Sequence, residues 1–165
     1  MSDYESIILP QSDEIPRRER EDAMGAYLMM FAAWGAGLPL PFLNLVAAGI
    51  YYATNKKKSK FVAFHALQSM VSQIPVTVVN AGLLFWLIRT LVKEASFTTY
   101  FWAYLVFVCI VNIVYIVTSI IALTRANKGN FFYFPVFGRW AFYRWYGPDA
   151  PNSTENKIRK NLPPV

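Results

Sequence analysis

The sequence predicts an all-α integral membrane helical bundle with about four embedded helices. Three long stretches, residues 23–55, 61–88 and 95–124, contain no Asp, Glu, Lys or Arg. Apolar stretches of this length are typical of membrane-embedded segments. The chain has 165 residues and a positive mean hydropathy, so one small water-soluble core could not bury its apolar surface. We therefore interpret it as one membrane domain with polar tails.

Composition and charge divide the chain into four parts. We assign residues 1–22 to a polar acidic N-terminal tail and residues 23–130 to the transmembrane domain. Residues 131–147 form an aromatic and basic interfacial segment, and residues 148–165 a polar C-terminal tail. The start is acidic and lacks the basic region of a secretory signal peptide, so we expect the first apolar stretch to persist in the mature protein.

The first charge-free stretch is predicted to be two short helices. As one helix it would measure about 50 Å, whereas the hydrocarbon core of a bilayer is about 30 Å thick. Two glycines and two prolines lie close together near its middle, so we expect a helix break at Gly37, Pro39 and Pro41. Helices over about 25–34 and 42–54 then dip into the membrane and return, or cross where the bilayer is thinned.

The second and third stretches each predict one full transmembrane helix. The 28 residues of the second exceed the length that a crossing requires. The third is rich in Val and Ile, which are favoured where lipid is the solvent. Because the loop between them, residues 89–100, is short, we expect an antiparallel hairpin.

Basic residues predict the topology, because they are retained on the cytoplasmic side. Two clusters flank the hairpin: Lys56, Lys57, Lys58 and Lys60, and Arg125, Lys128, Arg139 and Arg144. Both clusters are predicted to be cytoplasmic. If the first stretch is a hairpin, the N-terminal tail is cytoplasmic as well; if it is one kinked span, the tail lies outside. We favour the hairpin, since it places every basic cluster on one side.

The predicted location is therefore the cell inner membrane, with several membrane passes and both termini in the cytoplasm. The basic residues flank apolar stretches and do not line a soluble face. This arrangement fits anionic lipid headgroups and not nucleic acid.

Polar uncharged side chains form one face of the second stretch. At 100° per residue, they fall within about 140° of arc. Together with a matching stripe on the third stretch, they give five candidate residues for helix packing or a polar pathway: His65, Gln68, Ser72, Asn80 and Asn112. Hydrogen bonding between helices is the favoured interpretation. A polar passage, or a pigment or haem contact at His65, are the alternatives.

The interfacial segment contains ten aromatic residues in seventeen. Aromatic rings with polar edges partition to the headgroup level, so we expect this segment to lie along the cytoplasmic interface. The alternative is a partner-binding surface, because its side chains are of the types that dominate binding hot spots. The candidate contact residues are Trp140, Tyr143, Arg144, Trp145 and Tyr146.

No enzymatic activity is expected. The charge-free stretches contain no Asp or Glu, which a proton or cation pump would use as a relay. One His and one Cys cannot form a zinc or iron–sulfur site from this chain alone. No nucleophile paired with a base and no glycine-rich phosphate loop is present. Structural lipids are the bound molecules that we expect.

Two motifs resemble a known family. The first is FVAFHALQ at residues 61–68, after a lysine-rich turn, and the second is ALTRANKGNFFYFP at residues 122–135. Over about residues 24–137 the chain resembles small bacterial membrane proteins related to the chloroplast inner-envelope import channel, the Tic-like family. The resemblance implies four membrane-embedded helices with both termini cytoplasmic, and a link to protein translocation.

Two functional hypotheses follow. The first is a non-catalytic accessory or scaffold subunit of a larger respiratory, photosynthetic or secretory membrane complex, in contact with other membrane subunits through its polar helix faces and aromatic segment. The second is a Tic-like translocation component or small transporter, with a polar pathway near His65 and Gln68.

Overall fold

The computed structural model is all-helical over the residues that it describes, 9–32, 41–147 and 161. Its helices are α1 (Arg17–Leu28, extended by a 3-10 turn at Met29–Phe31), α2 (Pro41–Asn55), α3 (Lys60–Val92), α4 (Thr99–Asn127) and α5 (Phe137–Tyr146). Two of them, α3 and α4, are long and apolar enough to cross a membrane. The predicted all-helical class is confirmed, and the described residues contain two candidate spans.

The first charge-free stretch contains the second half of α1 and all of α2. Helix α1 begins at Arg17, earlier than the predicted start near residue 25, because its charged first turns consist largely of good helix formers. Arg17 Nε donates to Glu21 one turn later, at 2.8 Å. The predicted break residues Gly37 and Pro39 lie outside the described residues. Pro41 is the first residue of α2, where a missing N–H costs no helical hydrogen bond.

Helix α3 has two halves with different surroundings. Residues 61–69 are all buried, because α1, α2 and α5 pack around this half. We call residues 61–73 the buried half of α3. In residues 74–92, the exposed half, large apolar side chains such as Val78, Phe85 and Leu91 face outward. Pro75, which removes one donor from the helix ladder, lies at the junction between the two halves.

Helix α4 runs antiparallel to α3 and is joined to it by polar contacts. Asn80 and Asn112 donate to each other's side-chain oxygens, at 3.2 and 3.1 Å. Tyr104 Oη donates to the carbonyl of Val79 at 3.0 Å. Gly82 permits this approach, because a Cβ at that position would lie 2.8 Å from Tyr104 Oη. These contacts fix the register of the hairpin formed by α3 and α4.

Most basic side chains lie at the end of the molecule where α3 begins. We call this region the basic end; it comprises Arg17, Arg18, Arg20, Lys56, Lys57, Lys58, Lys60, Arg125 and Lys128. Lys58 Nζ is 2.9 Å from Asp22 Oδ2, which ties the loop before α3 to α1. Lys60 Nζ lies 6.0 Å from the centre of the Tyr146 ring, so the end of α5 belongs to the same region.

The turn after α4 is a tight left-handed cap. Gly129 has φ of 72° and donates to the carbonyl of Ala126 at 2.9 Å, while Asn130 donates to that of Arg125 at 2.9 Å. This pattern ends a helix with glycine in a conformation that other residues adopt only at a cost. A Cβ on Gly129 would also lie 2.9 Å from the backbone oxygen of Ser12.

Asn161 fastens this turn to the N-terminal segment. Its Nδ2 donates to the carbonyls of Pro10 and Gly129, at 2.8 and 3.0 Å. Its Oδ1 accepts from the backbone N–H of Phe131 at 3.1 Å, and its own N–H donates to Gln11 Oε1 at 3.2 Å. Asn161 is buried, so these bonds form in a region shielded from water. One side chain therefore joins two segments that are distant in sequence.

We predict that Gly129→Ala lowers the free energy of unfolding by about 2 kcal/mol, because alanine is strained at positive φ and its Cβ meets backbone. Gly49→Ala is the matched control: Gly49 lies inside α2, and its Cβ would meet Met70 Sδ at an ordinary 3.9 Å. The control should be neutral or more stable by up to about 1 kcal/mol. Thermal unfolding of both variants in mild detergent measures the difference, and equal melting temperatures would contradict this account of the turn.

Candidate functional site

A buried polar cluster lies between α1 and the buried half of α3. Tyr27 Oη lies 2.9 Å from His65 Nδ1 and accepts a hydrogen bond from Gln68 Nε2 at 2.8 Å. The tyrosine hydroxyl can accept from the amide and still donate its own proton to the imidazole. We therefore assign the proton of the neutral imidazole to Nε2. The rings of Phe61, Phe64 and Phe131 enclose His65, with centroids 4.5, 4.9 and 5.9 Å from its own.

The amide of Gln68 also binds the backbone of the segment between α4 and α5. Its Nε2 donates to the carbonyl of Phe132 at 2.9 Å, and its Oε1 accepts from the N–H of Phe134 at 3.2 Å. The side chain thus pairs with a donor and an acceptor of one peptide segment. Gly138 allows this close packing, because a Cβ there would lie 2.9 Å from Gln68 Oε1. Gln68 is therefore the common contact of α1, α3 and the segment that leads into α5.

The remaining predicted polar residues lie along α3 and α4. Ser72 Oγ donates to the carbonyl of Ser69 at 3.0 Å, and Ser69 Oγ donates to that of Ala26 in α1 at 2.8 Å. Asn80 and Asn112 form the reciprocal pair further along the hairpin. All five predicted residues have hydrogen-bond partners, and His65 and Gln68 have 0% exposed surface. A polar pathway at these positions stays a prediction.

Gln73 differs from Gln68. It is buried on the same helix, yet neither its Nε2 nor its Oε1 has a hydrogen-bond partner among the described residues. A buried amide without partners loses its hydration and gains nothing in return. The two glutamines therefore allow a direct comparison of a satisfied and an unsatisfied buried amide.

Helix α5 lies antiparallel to the buried half of α3. Going along α5, Gly138 lies beside Gln68, the Phe142 ring is 6.4 Å from the Phe64 ring, and the Tyr146 ring faces Lys60. Burial, reinforced by Glu19, raises the pKa of Tyr146, so its phenol remains neutral.

The predicted partner-contact residues lie on two sides of α5. Trp140, Tyr143 and Arg144 are exposed, whereas Trp145 is half-buried and Tyr146 is buried. The inward face also includes Ala141 and Phe142, which the sequence analysis did not single out. Their helical spacing from Gly138 and Tyr146 is the signal that could have identified this face.

The sequence did not predict two further residues that make important contacts, Tyr27 and Asn161. Tyr27 lies in an apolar stretch, where one tyrosine gives no sign of a buried hydrogen bond. Asn161 lies in a polar tail and makes four hydrogen bonds to distant segments. No sequence pattern indicates either contact. Over the residues that the structure describes, no group of three or more His, Cys, Asp or Glu side chains could hold a metal ion.

Comparison with known proteins identifies a family. The model of the MamF/MmsF family, described as the magnetosome magnetite crystal formation protein family, matches residues 19–141. The matched range includes Tyr27, His65 and Gln68, and it ends before Asn161. No curated protein and no solved structure matches the chain.

The predicted Tic-like membership is wrong, because the matching family is a different one. The two motifs that suggested it have a packing explanation. Residues 61–68 lie in the buried half of α3 and include His65 and Gln68, and residues 129–134 form the turn and the segment that Gln68 binds. In this fold both motifs serve helix packing, and they did not identify the family.

We predict that Gln68→Leu lowers the free energy of unfolding by about 3 kcal/mol, because it leaves the Phe132 carbonyl and the Phe134 N–H buried without partners. Gln73→Leu, the control on the same helix, should be neutral or stabilising by about 1 kcal/mol, since it removes an unpaired amide. Thermal unfolding of the detergent-purified variants tests both values. Equal destabilisation by the two substitutions would show that the bonds of Gln68 carry no special weight.

Proposed function

The chain belongs to the MamF/MmsF family of magnetosome magnetite crystal formation proteins, and from this premise we propose that it is a non-catalytic scaffold subunit of the magnetosome membrane. The proposal rests on one observation: the side chains of the buried polar cluster are hydrogen-bonded to protein groups and shielded from solvent. Tyr27, His65 and Gln68 are the groups best suited to chemistry, yet they bond to one another and to backbone and have almost no exposed surface. His65 Nε2 has no hydrogen-bond partner among the described residues, but it is buried among the rings of Phe61, Phe64 and Phe131, so a substrate could reach it only if the bundle rearranged. Side chains enclosed in this way support a fold.

The proposed membrane placement follows the exposed apolar surface. Counted back from Arg89, about 20 residues at 1.5 Å per residue cover the hydrocarbon thickness of about 30 Å, so this layer contains most of the exposed half of α3 and the last turn of its buried half. Helix α4 exposes a matching surface that includes Ile110, Ile113 and Val117. We propose that α3 and α4 cross the bilayer, with the basic end in the cytoplasm and in contact with anionic lipid headgroups.

Helices α1 and α2 are proposed to enter one leaflet from the basic end without crossing it. Phe42, Val46 and Ile50 occur at every fourth position of α2 and are 51%, 51% and 61% exposed. A surface of this kind is unfavourable in water and favourable against acyl chains. With α3 and α4, the chain would then have four membrane-embedded helices.

The exposed face of α5 is the proposed contact for other membrane subunits. Trp140, Tyr143 and Arg144 point away from the bundle, while Phe142 and Tyr146 hold the helix against α3. Tyrosine and tryptophan give a large contact area at a low cost in conformational entropy, and both, like arginine, are enriched among the residues that dominate binding energy. The chain would thus organise its neighbours at the membrane where magnetite forms.

A transport pathway beside His65 and Gln68 has less support. Both side chains are enclosed, and a pathway would have to break the bonds that hold α1 and the segment before α5 in place. We propose no bound cofactor, because Tyr27 engages His65 Nδ1 and because His65 Nε2, which has no hydrogen-bond partner among the described residues, is buried among aromatic rings.

We predict that His65→Asn leaves the size of magnetite crystals unchanged at equal protein level, because asparagine can still accept a hydrogen bond from Tyr27 and the proposal gives His65 no chemical role. The variant is expressed in magnetite-forming cells that lack their own copy, and crystals are measured by electron microscopy. Trp140→Ala combined with Tyr143→Ala should instead alter the crystals and reduce the co-purifying proteins seen by mass spectrometry.

The exposed Val78→Ala is the control for the second variant, since it removes apolar surface elsewhere. Loss of normal crystals in His65→Asn, with the protein still present in the membrane at its usual amount, would contradict the scaffold proposal. Normal crystals and normal co-purification in the α5 variant would contradict the assignment of that face.

A further inference from the structure

Over the described residues, the molecule is much broader around the buried half of α3 than around its exposed half. Beside the buried half of α3 lie α1, α2, the end of α4 and α5. Beside the exposed half, α4 packs against α3 through Asn80, Asn112 and Tyr104. The described part of the chain therefore changes from a five-helix bundle to a two-helix hairpin along a single helix, with the change near Pro75.

The broad part overlaps the lipid-facing region. Gly49 of α2 lies against Met70, so Val46 and Ile50 flank the level at which the buried half of α3 ends. Leu28 of α1 and Trp140 of α5 are also exposed. Aromatic residues such as tryptophan favour the headgroup level. If the broad part lay wholly in water, this apolar surface would have no favourable contact.

We propose that the chain acts as a wedge that favours curved bilayers in which the leaflet at the basic end is convex. This inference rests on the proposed membrane placement. In a small vesicle the outer leaflet has more area to fill than the inner leaflet. A protein with five helices at the outer level and two at the inner level fills that difference and relieves packing stress in the lipid. The positive charge of the basic end holds the broad part at an anionic headgroup layer.

Whether the protein favours or avoids small vesicles depends on the direction in which it is inserted into the bilayer, so comparing the two orientations tests the proposal. A molecule inserted with its basic end outward should favour small vesicles. A molecule inserted the other way should avoid them, since its broad part would then occupy the compressed inner leaflet. If reconstitution simply placed more protein in small vesicles, the densities of both orientations would change with vesicle diameter in the same way.

The experiment uses the full-length chain with Cys109→Ser and Lys57→Cys, labelled with a fluorophore at position 57, where Lys57 is exposed in the loop before α3. The protein is reconstituted into phosphatidylcholine and phosphatidylglycerol vesicles of mixed diameter. A membrane-impermeant quencher separates outward from inward molecules on each vesicle. We expect the density of outward molecules to be about threefold higher on the smallest vesicles than on the largest, and the inward molecules to show the reverse trend. No dependence on diameter, or the same trend for both orientations, would overturn the proposal.

Two further measurements isolate the cause. Replacing the exposed stripe of α2 (Phe42→Ser, Val46→Ser, Ile50→Ser) should weaken the preference, whereas the apolar control (Phe42→Leu, Val46→Ile, Ile50→Val) should retain it. Alkaline carbonate extraction tests the membrane placement separately. Protein that resists extraction but shows no curvature preference contradicts the wedge alone, and protein that is extracted contradicts the proposed placement.

Discussion

The amide of Gln68 is the contact on which the rest of the structure depends. It binds the hydroxyl of Tyr27 in α1 and two backbone groups of the segment that leads into α5. Because a carboxamide is both a donor and an acceptor, it can form hydrogen bonds with a carbonyl and an N–H of the same peptide segment, as a neighbouring backbone strand would. Without it, a carbonyl and an N–H would be buried unpaired. The position of the segment that leads into α5, with the Phe131 ring beside His65, depends on this one side chain.

The two halves of α3 are stabilised by different means. The buried half depends on close packing of aromatic rings and on hydrogen bonds that cross between helices. The exposed half has fewer protein contacts, and it relies on the Asn80–Asn112 pair and Tyr104 to hold α4 in register. Polar pairs between membrane helices contribute about 1 kcal/mol each, so these contacts set the register of the hairpin and add little to its stability.

Much of the architecture could be predicted from the sequence, because a membrane span requires little beyond length and the absence of charge. That rule identified α3 and α4, and the 100° helical period placed His65, Gln68 and Ser72 on one face. The contacts of these residues could not be predicted. The partners of Gln68 at Phe132 and Phe134 are backbone groups, which have no sequence signature.

The helical spacing of residues in α5 could have identified its inward face, but the surface that this face contacts depends on the fold of the turn at Gly129, which the pattern of aromatic residues does not encode. The family could not be identified from short motifs either, since packing alone accounts for them. What the residues do encode locally is helix length and the side of each helix that avoids lipid. The long-range contacts that assemble the helices arise only once the chain has folded.

The contacts of Asn161 have a consequence for the order of events during synthesis. Asn161 follows every described helix in the chain, yet its partners include Pro10 and Gln11 near the start. The bonds of Asn161 to Pro10 and Gln11 can therefore form only after every described helix has been synthesised. The N-terminal segment can pack on the bundle through Leu9 and Ile15 before that point, and Asn161 then fastens it to the turn at Gly129.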